Sequence, residues 1–312
     1  MTRLKLVAMS LLLIAGLFLT ACSTTNNNTP SAQDNTIQVT ATTGMIADIA
    51  ANVGGEFVTV NALMGPGVDP HLYKASQGDI AKLEEADIIL YNGLNLEGKM
   101  ADIFVRMASK KPAVQVTELI DEGALKEPPE FDGHYDPHVW FDVQLWMKVV
   151  ERVRDAFIEL DPTHKNGYTE NAAAYLSQLE ELDQYAKEQL ALIPKESRVL
   201  VTAHDAFGYL GDAYDLEVLG LQGISTDAEY GLADVQELVD LLAQRNIKAV
   251  FVESSVSSKA IEAVVEGAKK KGHQVTIGGE LFSDAMGDKG TEEGTYIGMV
   301  RHNIDTIVSA LK

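Results

Sequence analysis

Short β-rich runs alternate with amphipathic stretches along most of this chain, and the alternation breaks once, at a long stretch almost free of helix breakers. Residues 37–42, 58–63, 88–91 and 113–116 read as strands separated by helical segments. Residues 199–202, 216–219, 249–252 and 274–277 repeat the pattern. Strands separated by helices join by crossovers, so the pattern predicts parallel sheets flanked by helices. Between the two series, residues 163–192 are rich in Ala, Leu, Glu, Gln and Lys, with Pro162 before them and Pro194 after them. They read as one helix, about 40–45 Å long at 1.5 Å per residue, which suits a strut as well as a surface helix. Residues 295–311 read as a closing amphipathic helix. The expected fold is therefore α/β: two parallel-sheet lobes joined by one long rigid helix, with a cleft between them. The boundaries are 36–162 for the first lobe, 163–193 for the connecting helix and 194–312 for the second lobe.

The first 35 residues stand apart. Arg3 and Lys5 precede an apolar run over 6–19, followed by Leu19-Thr20-Ala21-Cys22. The run is shorter than the roughly 20 residues a spanning helix needs. A lipoprotein signal peptide over 1–21 explains it better than a membrane anchor, with cleavage leaving Cys22 to carry lipid. Residues 22–35 then form a lipidated cysteine and a polar tether. Cys22 is the sole cysteine among 312 residues, so no intrachain disulfide forms and no thiolate is available as a metal ligand. The net charge of −21 excludes nucleic acid as a partner. Removing residues 1–21 makes the chain more acidic still, since they hold two cations and no acid.

Three histidines stand at or near expected strand ends, in GPGVDPHLYKAS (His71), YDPHVWFDV (His138) and VTAHDAFGYL (His204). Asp284, in GGELFSDAMG, has a similar place. Ligands of open α/β sheets bind beyond the carboxyl ends of the strands, so these four side chains are placed to converge. His71 and His138 share the tripeptide Asp-Pro-His, whose proline stiffens the chain next to the imidazole. Three imidazoles and one carboxylate suit zinc, manganese or iron, whereas calcium and magnesium favour a mainly oxygen shell. The spacing is no local metal motif, and any one loop histidine is more often structural. Asp69, Asp136 and Asp205 adjoin the candidate ligands and could orient the imidazoles, or serve turns and caps. Gly65 and Gly67 suit turn geometry ahead of His71, and Trp140, Phe141, Phe207 and Tyr209 suit a cleft wall or ordinary core. His134, His164, His273 and His302 read as surface or structural residues.

Taken together, GPGVDPHLYKASQGD, DPHVWFDV, VTAHDAFGYLG and ELFSDAMG resemble the metal-binding solute receptors, lipoproteins among them, of manganese and zinc ABC importers. The likeness covers residues 36–312 and is strongest to the manganese-binding lipoproteins of Gram-positive bacilli. It implies a C-shaped pair of lobes, ligation by His71, His138, His204 and Asp284, and one transported Mn2+ or Zn2+ ion. Implied partners are an ABC permease with its ATPase and, through Cys22, the outer face of the cell membrane; the receptor itself is expected to be monomeric. Many manganese receptors of the group have glutamate where His204 stands, and three histidines are familiar in zinc receptors. Against dedicated zinc uptake, the segment before Asp136 lacks a long histidine-rich loop. The rivals are a zinc-specific receptor, a surface adhesin and a zinc hydrolase; the last would keep one coordination position open for water. No general base is evident, so no enzyme activity is expected.

Overall fold

The computed structural model describes residues 36–131 and 133–312. The expected signal peptide over 1–21, Cys22 and the expected tether over 22–35 lie outside the described residues. Residues 36–312 form one compact unit. Its first half holds β1 (Ile37–Ala41), α1 (Gly44–Gly54), β2 (Val58–Ala62), α2 (Gln77–Glu85), β3 (Ile88–Tyr91), α3 (Ala101–Ala108) and β4 (Ala113–Gln115). Then come α4 (Val143–Leu160) and the long α5 (Lys165–Leu190). The second half holds β5 (Val199–His204), α6 (Gly208–Tyr214), β6 (Glu217–Gln222), α7 (Leu232–Gln244), β7 (Ala249–Glu253), α8 (Lys259–Lys270), β8 (Thr276–Leu281) and α9 (Tyr296–Leu311).

Every strand pair is parallel, as the alternation predicts. The first four strands make one sheet in the order β2-β1-β3-β4, while β5 pairs with β6 and β7 with β8. Strand β5 also packs beside β7. Local chemistry sets the helix starts. Thr43 and Thr295 cap α1 and α9 through their hydroxyls, Ser76 and Asp79 form a capping box on α2, and Asp142 caps α4.

Helix α5 spans 26 residues, about 39 Å at the helical rise. Its expected first turn is instead a 3-10 turn over Pro162–His164, where proline sits at the start. Ala172, Tyr175, Leu179, Leu182, Ala186 and Leu190 form its buried stripe at spacings of three or four residues. The stripe packs on α1 and α4 of the earlier chain and on α9 of the later chain. Each large side chain so buried contributes about 1.5–3 kcal/mol. The largest apolar cluster runs continuously from Val39 through α5 to Leu311, with smaller clusters under β5–β7 and under α2–α3. The two halves therefore share one core rather than each having only its own.

Strand β8 begins later than expected and continues through Gly278 and Gly279. A side-chain carbon on Gly278 would lie 2.7 Å from Ala310 and 2.9 Å from Phe251, so glycine here lets α9 lie close against the strand.

Candidate metal centre

Four separate connections deliver the candidate ligands. His71 lies in the loop from β2 to α2, and His138 just precedes a 3-10 turn over Val139–Phe141 that leads into α4. His204 is the last residue of β5, and Asp284 lies three residues beyond β8. All four are buried: His138 and His204 are 0% exposed, Asp284 2% and His71 3%. One ligand atom from each can be chosen so that all four lie within 4.8 Å of one another.

The repeated tripeptide folds alike at both sites. The backbone N–H of His71 donates to Asp69 Oδ1 at 2.8 Å, and that of His138 to Asp136 Oδ1 at 2.9 Å. Each aspartate thereby closes an Asx turn over its proline and aims the following imidazole inward. Gly67, at φ 68°, supplies the left-handed step ahead of His71. Gly65 opens the same turn, its carbonyl accepting the Val68 N–H at 3.2 Å, but its own φ is not positive.

His71 Nε2 lies 3.3 Å from His138 Nε2 and 3.6 Å from Asp284 Oδ2. His138 Nε2 is 3.3 Å from Asp284 Oδ1, and His204 Nε2 is 3.3 Å from Asp284 Oδ2. Ligands bonded at about 2.0–2.1 Å to one tetrahedral ion stand about 3.3–3.4 Å apart, so these separations are those of a coordination shell. Both oxygens of Asp284 and Nε2 of His204 are buried without a hydrogen-bond partner, a costly arrangement that one small cation resolves.

The outer faces of two rings are also held. His138 Nδ1 is 2.7 Å from Asp136 Oδ1, which fixes Nε2 as the inward nitrogen. His204 Nδ1 abuts Glu253 Oε2, and the His204 backbone N–H donates to Glu253 Oε1 at 2.9 Å. Glu253 closes β7, and its place beside His204 follows from β5 lying next to β7. Asp205, adjacent in sequence to His204, is anchored through its backbone N–H to the Gln222 carbonyl. Asp69 acts on the His71 backbone rather than on its ring. Glu253→Gln keeps the size but loses the anion, and a 10- to 100-fold loss of metal affinity is expected in chelator competition.

Electrostatics point the same way. Burial drives His71 down to about 3. For His138 burial also pulls downward, but the carboxylates of Asp136 and Asp284 outweigh it and push the imidazole up to about 9. His204 rises well above the ordinary imidazole range, because Glu253 and Asp284 outweigh its burial. Burial would raise Asp284, yet His204 and His138 hold it well below the usual carboxylate range. The cluster is thus arranged to hold positive charge.

Aromatic residues seal it. Trp140 packs edge-on against His138 at 5.2 Å and donates to the Ser283 carbonyl at 3.0 Å, and Phe141 meets Phe207 at 4.4 Å. Tyr209 donates to the Asp136 carbonyl at 2.9 Å. The remaining histidines lie elsewhere: His134 is exposed, His164 stacks on Phe57, His273 bonds the Ile247 carbonyl and His302 the Glu280 carbonyl.

Residues 39–310 match the family described as zinc-uptake complex component A, periplasmic (ZnuA). The manganese-binding lipoprotein MntA of Bacillus subtilis (strain 168) is 55% identical over 305 residues, covering 97% of this chain and 98% of its own. The zinc-binding protein TroA of Treponema pallidum (strain Nichols) is 50% identical over 281 residues, covering 90% and 91%. The solved structure of the periplasmic zinc-binding protein TroA superposes with a TM-score of 0.86, over 88% of this chain and 99% of that one, at 50% identity. A manganese-bound periplasmic metal-binding protein from Candidatus Liberibacter asiaticus gives 0.78 at 25% identity, over 88% and 100%. With its family match running nearly the full length of the folded unit, the chain belongs to the ZnuA family of metal-uptake proteins.

Proposed function

We propose that His71, His138, His204 and Asp284 are the four protein ligands of one transported divalent ion. Residues 36–162 and 194–312 would each contribute two, on either side of a connecting segment over 163–193. The observation that carries this reading is the meeting of four buried ligand atoms, from four separate parts of the chain, all within 4.8 Å of one another and as close as 3.3 Å in pairs. The chain is the substrate-binding component of an ABC importer, and it works with a permease and its ATPase rather than as an enzyme.

Manganese is the preferred cargo, supported by the 55% identical relative named for manganese and by the manganese-bound structure. Asp284 faces the imidazoles with both oxygens, so a coordination number above four is within reach. Zinc is the second reading, supported by three imidazoles and by the likeness to TroA. The Irving–Williams order makes zinc the tighter ion at equilibrium for such a donor set, so the transported ion need not be the tightest one. Lipidation at Cys22 would hold a monomer to the outer face of the cell membrane, beside its permease; the acidic surface suits no nucleic acid.

The test is metal analysis of protein taken from its native host, paired with growth of a deletion strain. Growth of the deletion strain is expected to fail in manganese-depleted medium and to recover when manganese is added. Recovery with zinc alone would overturn manganese as the cargo.

A further inference from the structure

The loop between β6 and α7 reaches the candidate site by a chain of contacts that ends on the backbone of His71. It starts at Gln222, the register partner of His204, whose carbonyl accepts the N–H of Asp205 at 3.0 Å. The Gln222 side-chain amide donates to the carbonyls of Thr226 and Ala228, each at 2.6 Å, and so folds the loop back. Thr226 is thereby presented to the first half of the chain. Its hydroxyl donates to Asp69 Oδ2 at 2.6 Å. The other oxygen of that carboxylate, Oδ1, holds the backbone N–H of His71. Close by, Lys99 and Asp227 make a second tie between the same two regions, at 2.8 Å.

We propose that Thr226 is a positioning residue for His71: by fixing Asp69 from the opposite half, it keeps the His71 imidazole aimed at the ion and slows release. The inference rests on the metal-site reading given above. Thr226 is buried, so its hydroxyl has a strong preference for a partner, and Asp69 is the one it has. The carboxylate is fixed at both oxygens, by groups from both halves. Separation of the halves must break this link as it withdraws His71 from His204.

The test uses the full chain loaded with zinc, mixed rapidly with excess chelator, and follows zinc release. Thr226→Val keeps the shape and removes the donor, and release is expected to be about tenfold faster, the scale on which groups that orient a ligand act. Thr226→Ser restores the donor and is expected to release at nearly the wild-type rate. In a His71→Ala background, Thr226→Val is expected to change release by less than about twofold, because the residue it positions is gone. Thr226→Ala serves as the donor-free variant should valine prevent folding. Wild-type rates in the donor-free variants, or an equal acceleration with and without His71, would overturn the proposal while leaving the metal site intact. Failure of the wild-type chain to retain zinc would instead overturn the metal-site reading and this inference with it.

Discussion

Replacing Asp284 by alanine is expected to lower metal affinity by at least about 100-fold, the upper end of what loss of an outer orienting partner costs. Asp284 is the only carboxylate in the cluster and lies 3.3–3.6 Å from the inward nitrogen of all three imidazoles. Its loss removes the anion that offsets the charge of a divalent ion in a buried site. The effect is readable as thermal stabilisation. An ion at a thousand times its Kd stabilises the folded chain by about 4 kcal/mol. At about 2 °C per kcal/mol for a chain of this size, that is a rise of about 8 °C. The Asp284→Ala protein at the same ion concentration is expected to keep at most about a third of it, a rise of about 3 °C or less. A full rise in the variant would remove Asp284 from the ligand set.

The second large effect is on pH. In the metal-free protein His138 titrates at about 9 and His204 well above the ordinary range, so both carry protons at neutral pH. An ion must displace those protons, so apparent affinity rises with pH, by up to about two powers of ten per unit while both are protonated. The slope falls as pH passes the raised values, about 9 for His138. His71, at about 3, is already neutral and adds nothing to the slope. Ordinary histidines near 6.5 would give a curve that flattens above pH 7, so chelator competition between pH 6 and 9 separates the two cases. The same shifts act oppositely on the metal-free fold. A raised imidazole pKa adds stability that is complete below about 6.5 and is lost as pH climbs through the folded value near 9. Alkali should therefore weaken the metal-free protein while strengthening metal capture. An affinity that is flat above pH 7 would contradict the arrangement of Asp136, Glu253 and Asp284 around the rings.

Much of this was legible in the residues themselves. Strands β1 to β5 and β7 start where runs of β-branched and apolar residues start, because propensity and burial agree there. The two Asp-Pro-His tripeptides fold alike because an Asx turn is a local event. What could not be read depended on tertiary contact. Gly278 and Gly279 look like a strand end in sequence, yet they sit inside β8 where α9 needs room. Helix α4 lies within the long interval from β4 to Pro162, to which the alternation of strands and helices assigned no element. Glu253 reads only as the end of an apolar strand, and its part in holding His204 follows from which strands are neighbours. The shared core through α5 likewise follows from how α1, α4 and α9 close on one stripe.

The most direct test of a four-ligand site is a crystal structure of the zinc-loaded chain with the ion located by its anomalous scattering. One ion is expected, about 2.0–2.2 Å from Nε2 of His71, His138 and His204 and from an oxygen of Asp284. An ion bound elsewhere, or one that leaves any of these four side chains out of its shell, would contradict the account.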